Sequence, residues 1–372
     1  MQTQVLQINF NQNPFIAIWE MTRSCALKCL HCRAEAIEER DRLELTTDQA
    51  FMLLKEIRLF GKPLVVLTGG DPMRRPDVFD IVEYGAQLGL RMALTPSGTA
   101  EMTCEKVQRL NEKGLARLAV SLDGSNAQIH DSFRKVEGSF HWTLQILRWA
   151  DEVGLSTQIN TTMTRHNLKD VEAICELLRS LHIALWSVFF LVPVGRGKLD
   201  DAIGAEDFER VFHKMAELSE HSSFDIKSTE APHYRRVLLQ RKHRKSSLDR
   251  SEASDGVGRA AMGVNDGKGF VFISHTGDIF PSGFLPLKAG NVKTDSLVTI
   301  YRDSPLFRSL RDPNQLKGKC GACEYKSICG GSRARSFALT GDVMAQDPFC
   351  THVPKGYTLG EEEKQHWQTV AN

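Results

Sequence analysis

Short apolar runs and amphipathic stretches alternate through the first two-thirds of the chain. The runs, rich in β-branched and aromatic residues, fall at 15–20, 63–68, 91–96, 116–122, 156–162, 185–191 and 225–229 and predict strands. Between them, residues 47–60, 76–88, 102–113, 140–153, 168–182 and 205–219 carry apolar positions at helical spacing. Two helix starts look capped, by Thr46 before Thr-Asp-Gln and by Asn167 before Leu-Lys-Asp-Val-Glu, with acids in the first turn. Strands alternating with helices of this length predict βαβ units and a parallel sheet. Six or so units are too few for a closed eightfold barrel. The expected fold is therefore α/β, a partial (β/α)6 TIM-like barrel over residues 14–234, with its chemistry at the C-terminal ends of the strands.

From about Arg235 the periodicity fails. Residues 235–268, charged and Ser-rich around Arg241-Lys-His-Arg-Lys, predict a loop or linker. Its basic run reads as a solvated face, with contact to an anionic substrate as the alternative. Gly269-Phe-Val-Phe-Ile-Ser, a turn at Gly277-Asp278 and Ile279-Phe-Pro then predict a β-hairpin. It opens a small, loop-rich C-terminal unit over 269–355 with a short helix at 297–301, followed by a polar tail at 356–372.

Composition narrows the class. With 41% hydrophobic and 25% charged residues, disorder and fibrous repeats are excluded. Lys+Arg 47 against Asp+Glu 46 leaves a net charge of +1, no overall field for nucleic acid or a membrane surface. The longest apolar run, 183–194, is shorter than the ~20 residues that span a bilayer, and Ser187 interrupts it. Met1-Gln-Thr-Gln-Val lacks the basic start of an export signal. The expectation is a soluble, cytoplasmic protein with neither nucleic-acid nor membrane partner. An odd cysteine count, nine, argues against a disulfide framework in such a chain. Seven of the nine crowd into two places, which points to metal ligands; Cys104 and Cys175 stand apart and read as packing residues.

The first cluster, Cys25-Ala-Leu-Lys-Cys29-Leu-His-Cys32, follows the first strand directly. Three thiols so spaced fit one face of a cube-shaped iron–sulfur cluster and leave one iron without a protein ligand, whereas electron-transfer sites supply four cysteines. A structural zinc site completed by His31 or a remote ligand is the alternative. The loop's place above the first barrel strand favours catalysis over bracing.

This three-cysteine loop resembles the signature of the radical S-adenosylmethionine (SAM) superfamily, and the likeness extends over about residues 14–230. It implies a 4Fe–4S cluster on Cys25, Cys29 and Cys32, with SAM bound to the open iron. It also implies reductive cleavage of SAM to a 5′-deoxyadenosyl radical, hydrogen abstraction from a substrate, and an external electron donor such as ferredoxin or flavodoxin. His31 departs from the aromatic residue usual before the last cysteine. Gly69-Gly70-Asp71-Pro72, after the second strand, looks like the Gly-Gly-Glu-Pro segment that contacts the SAM amino group. Two glycines allow close backbone approach, and Asp71 suits an ammonium. By the same resemblance Ser97, Ser121, Asp123 and Asn160, at the ends of the third to fifth strands, are candidate SAM contacts, although Asp123-Gly124 also reads as a plain turn. The turn from Val192 to Gly197 resembles a segment flanking ribose and adenine.

The second cluster, Cys320-Gly-Ala-Cys323 with Cys329 and Cys350, offers four thiols for a closed Fe–S or zinc site. The stretch from Gly283 to Cys350 resembles the SPASM extension that houses auxiliary 4Fe–4S clusters. Ser282 and Ser332 stand where the full seven-cysteine pattern has cysteines, so the resemblance implies one auxiliary cluster on Cys320, Cys323, Cys329 and Cys350.

Within the superfamily, His31-Cys-Arg-Ala-Glu-Ala36 and Cys329-Gly-Gly-Ser-Arg-Ala-Arg335 look most like the heme-biosynthesis subgroup. A tetrapyrrole needs cations for its carboxylates, and Arg33, Arg196, Arg235 and Arg236, with His233 beside the last two, lie near the expected active-site ends. Side-chain modification of a tetrapyrrole is thus the first reading. A radical maturase of a ribosomal peptide or protein is the second; the 14 residues before the first strand leave no room for a fused peptide-recognition domain, and a separate one is the form this reading expects. A non-catalytic Fe–S electron carrier is the third, disfavoured by three thiols at the first site.

Overall fold

Strands β1 (Ile16–Thr22), β2 (Leu64–Gly69), β3 (Arg91–Leu94), β4 (Arg117–Ser121), β5 (Thr157–Met163), β6 (Leu185–Phe190) and β7 (Asp225–Thr229) pair in parallel, each with the next. They belong to a computed structural model that describes residues 8–244 and 263–360. The crossovers carry α1 (Thr47–Arg58), α2 (Val78–Gln87), α3 (Cys104–Glu112), the pair α4 (Ala127–Arg134) and α5 (Ser139–Glu152), α6 (Val171–Arg179) and α7 (Ala205–Glu220). Successive strand residues point to opposite faces. Ala17, Trp19, Val65, Leu67, Leu118, Val120, Ile159, Trp186 and Val188 pack into one core with Leu54, Ile57, Ile81, Leu110, Ile146, Ile174 and Phe212 of the helices. The opposite set, including Thr68, Ser121, Asn160, Thr162 and Phe189, lines the barrel interior. The expected α/β partial barrel is the fold.

Thr46 caps α1 in a full capping box, its hydroxyl accepting from Gln49 N and Gln49 Oε1 accepting from Thr46 N. Asn167 does not cap. A 3₁₀ turn, Leu168–Asp170, delays α6 to Val171, and Asn167 Nδ2 instead donates to Asp123 O at 3.0 Å and Thr162 O at 2.9 Å, tying the ends of β4 and β5 together. Helix α4 has no counterpart among the expected elements. Asn126 caps it, accepting from Ile129 N.

The expected hairpin forms as β8 (Phe270–Ile273) and β9 (Asp278–Phe280), with Gly277 at φ +92° in the turn. It also extends the barrel sheet, because β8 pairs in parallel with β1. β10 (Gly290–Asn291) follows on β9, giving the order β10-β9-β8-β1-β2-β3-β4-β5-β6-β7. An open β1 edge leaves backbone groups unpaired, and β8 satisfies them.

The charged stretch 235–268 is not a linker throughout. Residues Tyr234–Arg244 form α8, whose Tyr234 and Val237 are buried, with Tyr234 against Phe212 of α7. Asn265 and Lys268 bridge in a turn. Residues 245–262, with the rest of that expected linker, and 361–372 of the tail lie outside the described residues. Helices α9 (Leu297–Asp303), α10 (Pro305–Arg311), α11 (Gly318–Ala322) and α12 (Arg333–Thr340) complete the C-terminal part. Among the described residues, no helix is long and apolar enough to cross a membrane.

Candidate active site and second cysteine site

The first cysteine loop leaves the end of β1 and is fastened by backbone. Cys25 N donates to Ile37 O, Ile37 N to Arg23 O, and the Arg23 side chain to Ala34 O and Glu35 O. The loop must pass close to the end of β2. A Cβ on Gly69 would meet Thr22 O at 2.2 Å, and one on Gly70 would meet Ser24 O at 2.3 Å. Only glycine fits at these two positions, and Gly69 also holds φ +143°. From the other side Gly195, at φ +61°, presses against Cys32 O, and Arg196 donates from N to Cys32 O and from Nε to Cys29 O.

The loop closes a cavity of about 210 Å³. Cys25, Cys29 and Cys32 line it, as do Gly69, Gly70, Ser97, Ser121 and Asn160 of the candidate SAM contacts. Asp71, Pro72 and Asp123 do not. Asp71 is buried behind the cavity, where its Oδ1 accepts from Met73 N and Ser97 N, and burial pushes its carboxyl up to about 6. Pro72 opens the short 3₁₀ turn that Asp71 caps. Asp123 has no solvent exposure, accepts from Thr162 N and pairs with Arg134. Val192 of the 192–197 turn also reaches the lining.

Each thiol has a polar neighbour. Cys25 Sγ lies 3.1 Å from Ser97 Oγ, Cys29 Sγ accepts from Arg134 Nη1 at 3.5 Å, and Cys32 Sγ accepts from Ala36 N at 3.5 Å. Burial pushes Cys25 up to about 11 and raises Cys29. Such thiols ionise when a bound metal supplies the compensating charge. His31 stacks on Phe133 with centroids 4.6 Å apart, and its buried Nδ1 has no hydrogen-bond partner among the described residues. Burial, then Arg134 and Arg196, hold its pKa well below the ordinary value, so the ring is neutral. Three convergent thiols, a glycine cradle beside them and an orphaned ring nitrogen at the wall fit an iron–sulfur cluster with one open iron and a polar ligand on it. Arg134 is the residue that sequence reasoning missed. Its only signal was the Asn126 cap of an unexpected helix.

The second site gathers Cys320, Cys323, Cys329 and Cys350 around one small cavity with His233, Arg236 and Lys319. Backbone amides point at the sulfurs: Asp347 N at Cys320, Tyr325 N at Cys323 and Gly331 N at Cys329, each at 3.4 Å. A Cβ on Gly331 would come within 3.1 Å of Cys320 Sγ. Burial pushes Cys350 up to about 12 and Cys329 well above the ordinary thiol value. Of the two stray cysteines, Cys175 is fully buried and Cys104 is half-buried at the first turn of α3.

The cations expected at the barrel mouth are placed differently. Arg236 forks onto Glu209 of α7 at 3.0 and 2.5 Å beside the second cysteine site. Arg235 donates to Val264 O and Ile328 O. Glu230 leaves β7 at φ +58°, α8 starts four residues later at Tyr234, and Arg235 and Arg236 fall in its first turn. Arg196 is committed to the cysteine loop. Arg33 alone lines the first cavity, its Nη2 2.6 Å from Glu20 Oε2.

Comparison with known proteins places this geometry. The model of the radical SAM superfamily matches residues 19–178. The AdoMet-dependent heme synthase of Methanosarcina barkeri (strain Fusaro / DSM 804) is 42% identical, over 92% of this chain and 97% of that protein. The AdoMet-dependent heme synthase of Oleidesulfovibrio alaskensis is 41% identical, over 91% of this chain and 87% of its own length. The crystal structure of Streptococcus suis SuiB bound to S-adenosylmethionine shares the fold, with a TM-score of 0.71 at 17% identity over 92% of this chain and 78% of that one. The chain belongs to the radical SAM superfamily, in the same family as these two heme synthases.

Proposed function

We propose that this protein is a radical SAM enzyme that modifies carboxylate-bearing side chains of a heme-type tetrapyrrole. The observation that carries it is a cavity at the strand C-termini holding three thiols without a fourth, in a chain 42% identical along nearly its whole length to a heme synthase. When bound, the cluster and SAM supply a 5′-deoxyadenosyl radical that takes a hydrogen atom from the substrate. Cys25, Cys29 and Cys32 hold the cluster. The Gly69–Gly70 backbone, Ser97, Ser121 and Asn160 hold SAM against it, and the enclosing barrel excludes water.

We infer that Cys320, Cys323, Cys329 and Cys350 hold one auxiliary 4Fe–4S cluster. Among the described residues, the one trio of Cys, His or carboxylate donors within 4.8 Å of one another is Cys323, Glu324 and His352. Four thiols around one small cavity, three of them facing a backbone amide, support a cluster over a metal held by that trio. An external donor such as ferredoxin or flavodoxin supplies electrons in this reading.

Anaerobic protein reduced with a strong reductant is expected to carry about eight iron atoms and to form 5′-deoxyadenosine from SAM, faster with iron coproporphyrin III present. S-adenosylhomocysteine as the sole product of SAM would overturn the radical reading. About four iron with stoichiometric zinc would overturn the auxiliary cluster.

A further inference from the structure

The cysteine cavity has a neighbour. A second cavity of about 540 Å³ lies on the β8–β9 side of the cysteine loop, and Arg33, Ala34 and Phe284 line both. Its walls are largely apolar and aromatic: Phe272 of β8, Phe280 of β9, Phe284, and Phe337 of α12. At the dividing wall sits a cation whose direction is fixed. Arg33 lies over the Phe272 ring at 4.7 Å, gives Nη2 to Glu20, and gives Nη1 to Gly283 O at 3.3 Å. Glu20 in turn takes His275 Nδ1 at 2.9 Å, so two basic groups share one carboxylate.

We propose that this second cavity is the tetrapyrrole site, with the macrocycle against Phe272, Phe280 and Phe337 and a carboxylate-bearing side chain at Arg33, where the two cavities meet. The inference rests on the tetrapyrrole reading above and gives that substrate a place. A flat apolar ring with acidic groups on its edge needs aromatic walls and a cation at one rim. Hydrogen abstraction needs the side chain that carries the carboxylate, not the ring centre, beside the cysteine pocket. Among the described residues, Arg33 is the one cation that lines both cavities, and with Glu20 shared between Arg33 and His275 its charge can also attract a substrate carboxylate at the dividing wall. Arg235 and Arg236 have no part in this site.

The test is absorbance titration of the anaerobic, cluster-loaded protein with iron coproporphyrin III and with its carboxylate-esterified form. Ala338 is exposed and lines the cavity, so Ala338→Trp fills it without entering the core. Ala338→Trp is expected to weaken binding of both probes at least tenfold, with iron content and melting temperature as in wild type. Arg33→Gln is expected to weaken the acid probe at least tenfold and the esterified probe little. If Ala338→Trp proves unstable, Phe337→Ala, which removes wall together with some packing against the Leu285, Leu310 and Ala334 cluster, serves in its place with the same expected direction. Wild-type affinity in the folded cavity variant would overturn the placement while leaving the tetrapyrrole reading intact. Equal loss of both probes in Arg33→Gln would overturn the carboxylate contact. No saturable binding of either probe by wild type would sink the tetrapyrrole reading and the site with it.

Discussion

Arg134 Nη1 donates to Cys29 Sγ at 3.5 Å while the other end of the same guanidinium pairs with Asp123, a carboxylate without solvent exposure. The pair links the end of β4 to the cysteine loop through α4. Leu30 N, which donates to Phe133 O, and the stacking of His31 on Phe133 hold the same contact from the other side. A fixed cation and an N–H···S bond at a cluster ligand stabilise the more negative, reduced state.

Arg134→Met is therefore expected to move the reduction potential of a cluster on Cys25, Cys29 and Cys32 to a more negative value and leave any signal from the second cysteine site unchanged, as read by EPR during a redox titration. It also strands Asp123 in the interior, at a cost of about 3–5 kcal/mol in stability. Adding Asp123→Asn should recover part of that stability but not the potential. A potential that stays put in the single variant would reduce Arg134 to a brace.

Gly70→Ala tests the glycine cradle. The added methyl meets two carbonyl oxygens of the cysteine loop, Ser24 O at 2.3 Å and Arg23 O at 2.6 Å, and neither is the end of a flexible side chain. The loop has to shift, costing about 1–3 kcal/mol. The expected result is loss of SAM binding and of about four iron atoms relative to wild type, with any metal at the second site retained. Iron analysis and equilibrium dialysis with SAM check it, and a variant that keeps both full iron and SAM affinity would exclude the close approach as a requirement.

Much of this was legible in the sequence, for identifiable reasons. The seven barrel strands are apolar runs between amphipathic helices, and burial on the helix-facing side enforces that pattern. The two cysteine groups stand out because thiols that the fold gathers around one cavity are also close in the chain. What was not legible depends on where a side chain points after a turn. Arg235 and Arg236 follow the last barrel strand and looked like mouth residues, but they fall in the first turn of α8, where Arg236 lines the second cysteine site and Arg235 donates to Val264 O and Ile328 O. Asp123 stood in a turn motif at a strand end and proves to be the buried partner of a residue eleven positions on. The parallel pairing of β8 with β1 joins residues about 250 positions apart, a contact that no local period encodes.

Arg236 belongs to the second site by position, and its variant should behave accordingly. Breaking its fork with Glu209 in Arg236→Gln leaves a partly buried carboxylate with only Thr351 Oγ1 at 3.3 Å and His213 Nε2 at 3.5 Å beside it, at about 2–3 kcal/mol, less than for a wholly buried pair. The outcome expected is a lower melting temperature and slower reloading of iron at the second site, with tetrapyrrole affinity unchanged. Weaker binding of iron coproporphyrin III by this variant, at full iron content, would return Arg236 to the substrate.

The Glu20–His275 contact sets a stability window in pH. Burial works to lower His275, but Glu20 on Nδ1 and Asp41 on Nε2 outweigh it, so the imidazole is held above its ordinary 6.5. Burial works to raise Glu20, and Arg33 with His275 outweighs it, so that carboxyl is held below its ordinary 4.5. The histidine's contribution is complete below pH 6.5 and is lost as pH rises through its raised folded value; the glutamate's is complete above pH 4.5 and is lost as pH falls through its lowered folded value. Both contribute fully between 4.5 and 6.5, where the turn after β8 is pinned most firmly to the end of β1. His275→Gln keeps the shape and a hydrogen bond but not the charge. Its melting temperature should fall furthest below wild type in that interval, and the gap should narrow as pH rises through the raised folded value of His275. Measuring both proteins across that range decides the point, since a gap independent of pH would mean that His275 acts by packing and hydrogen bonding alone.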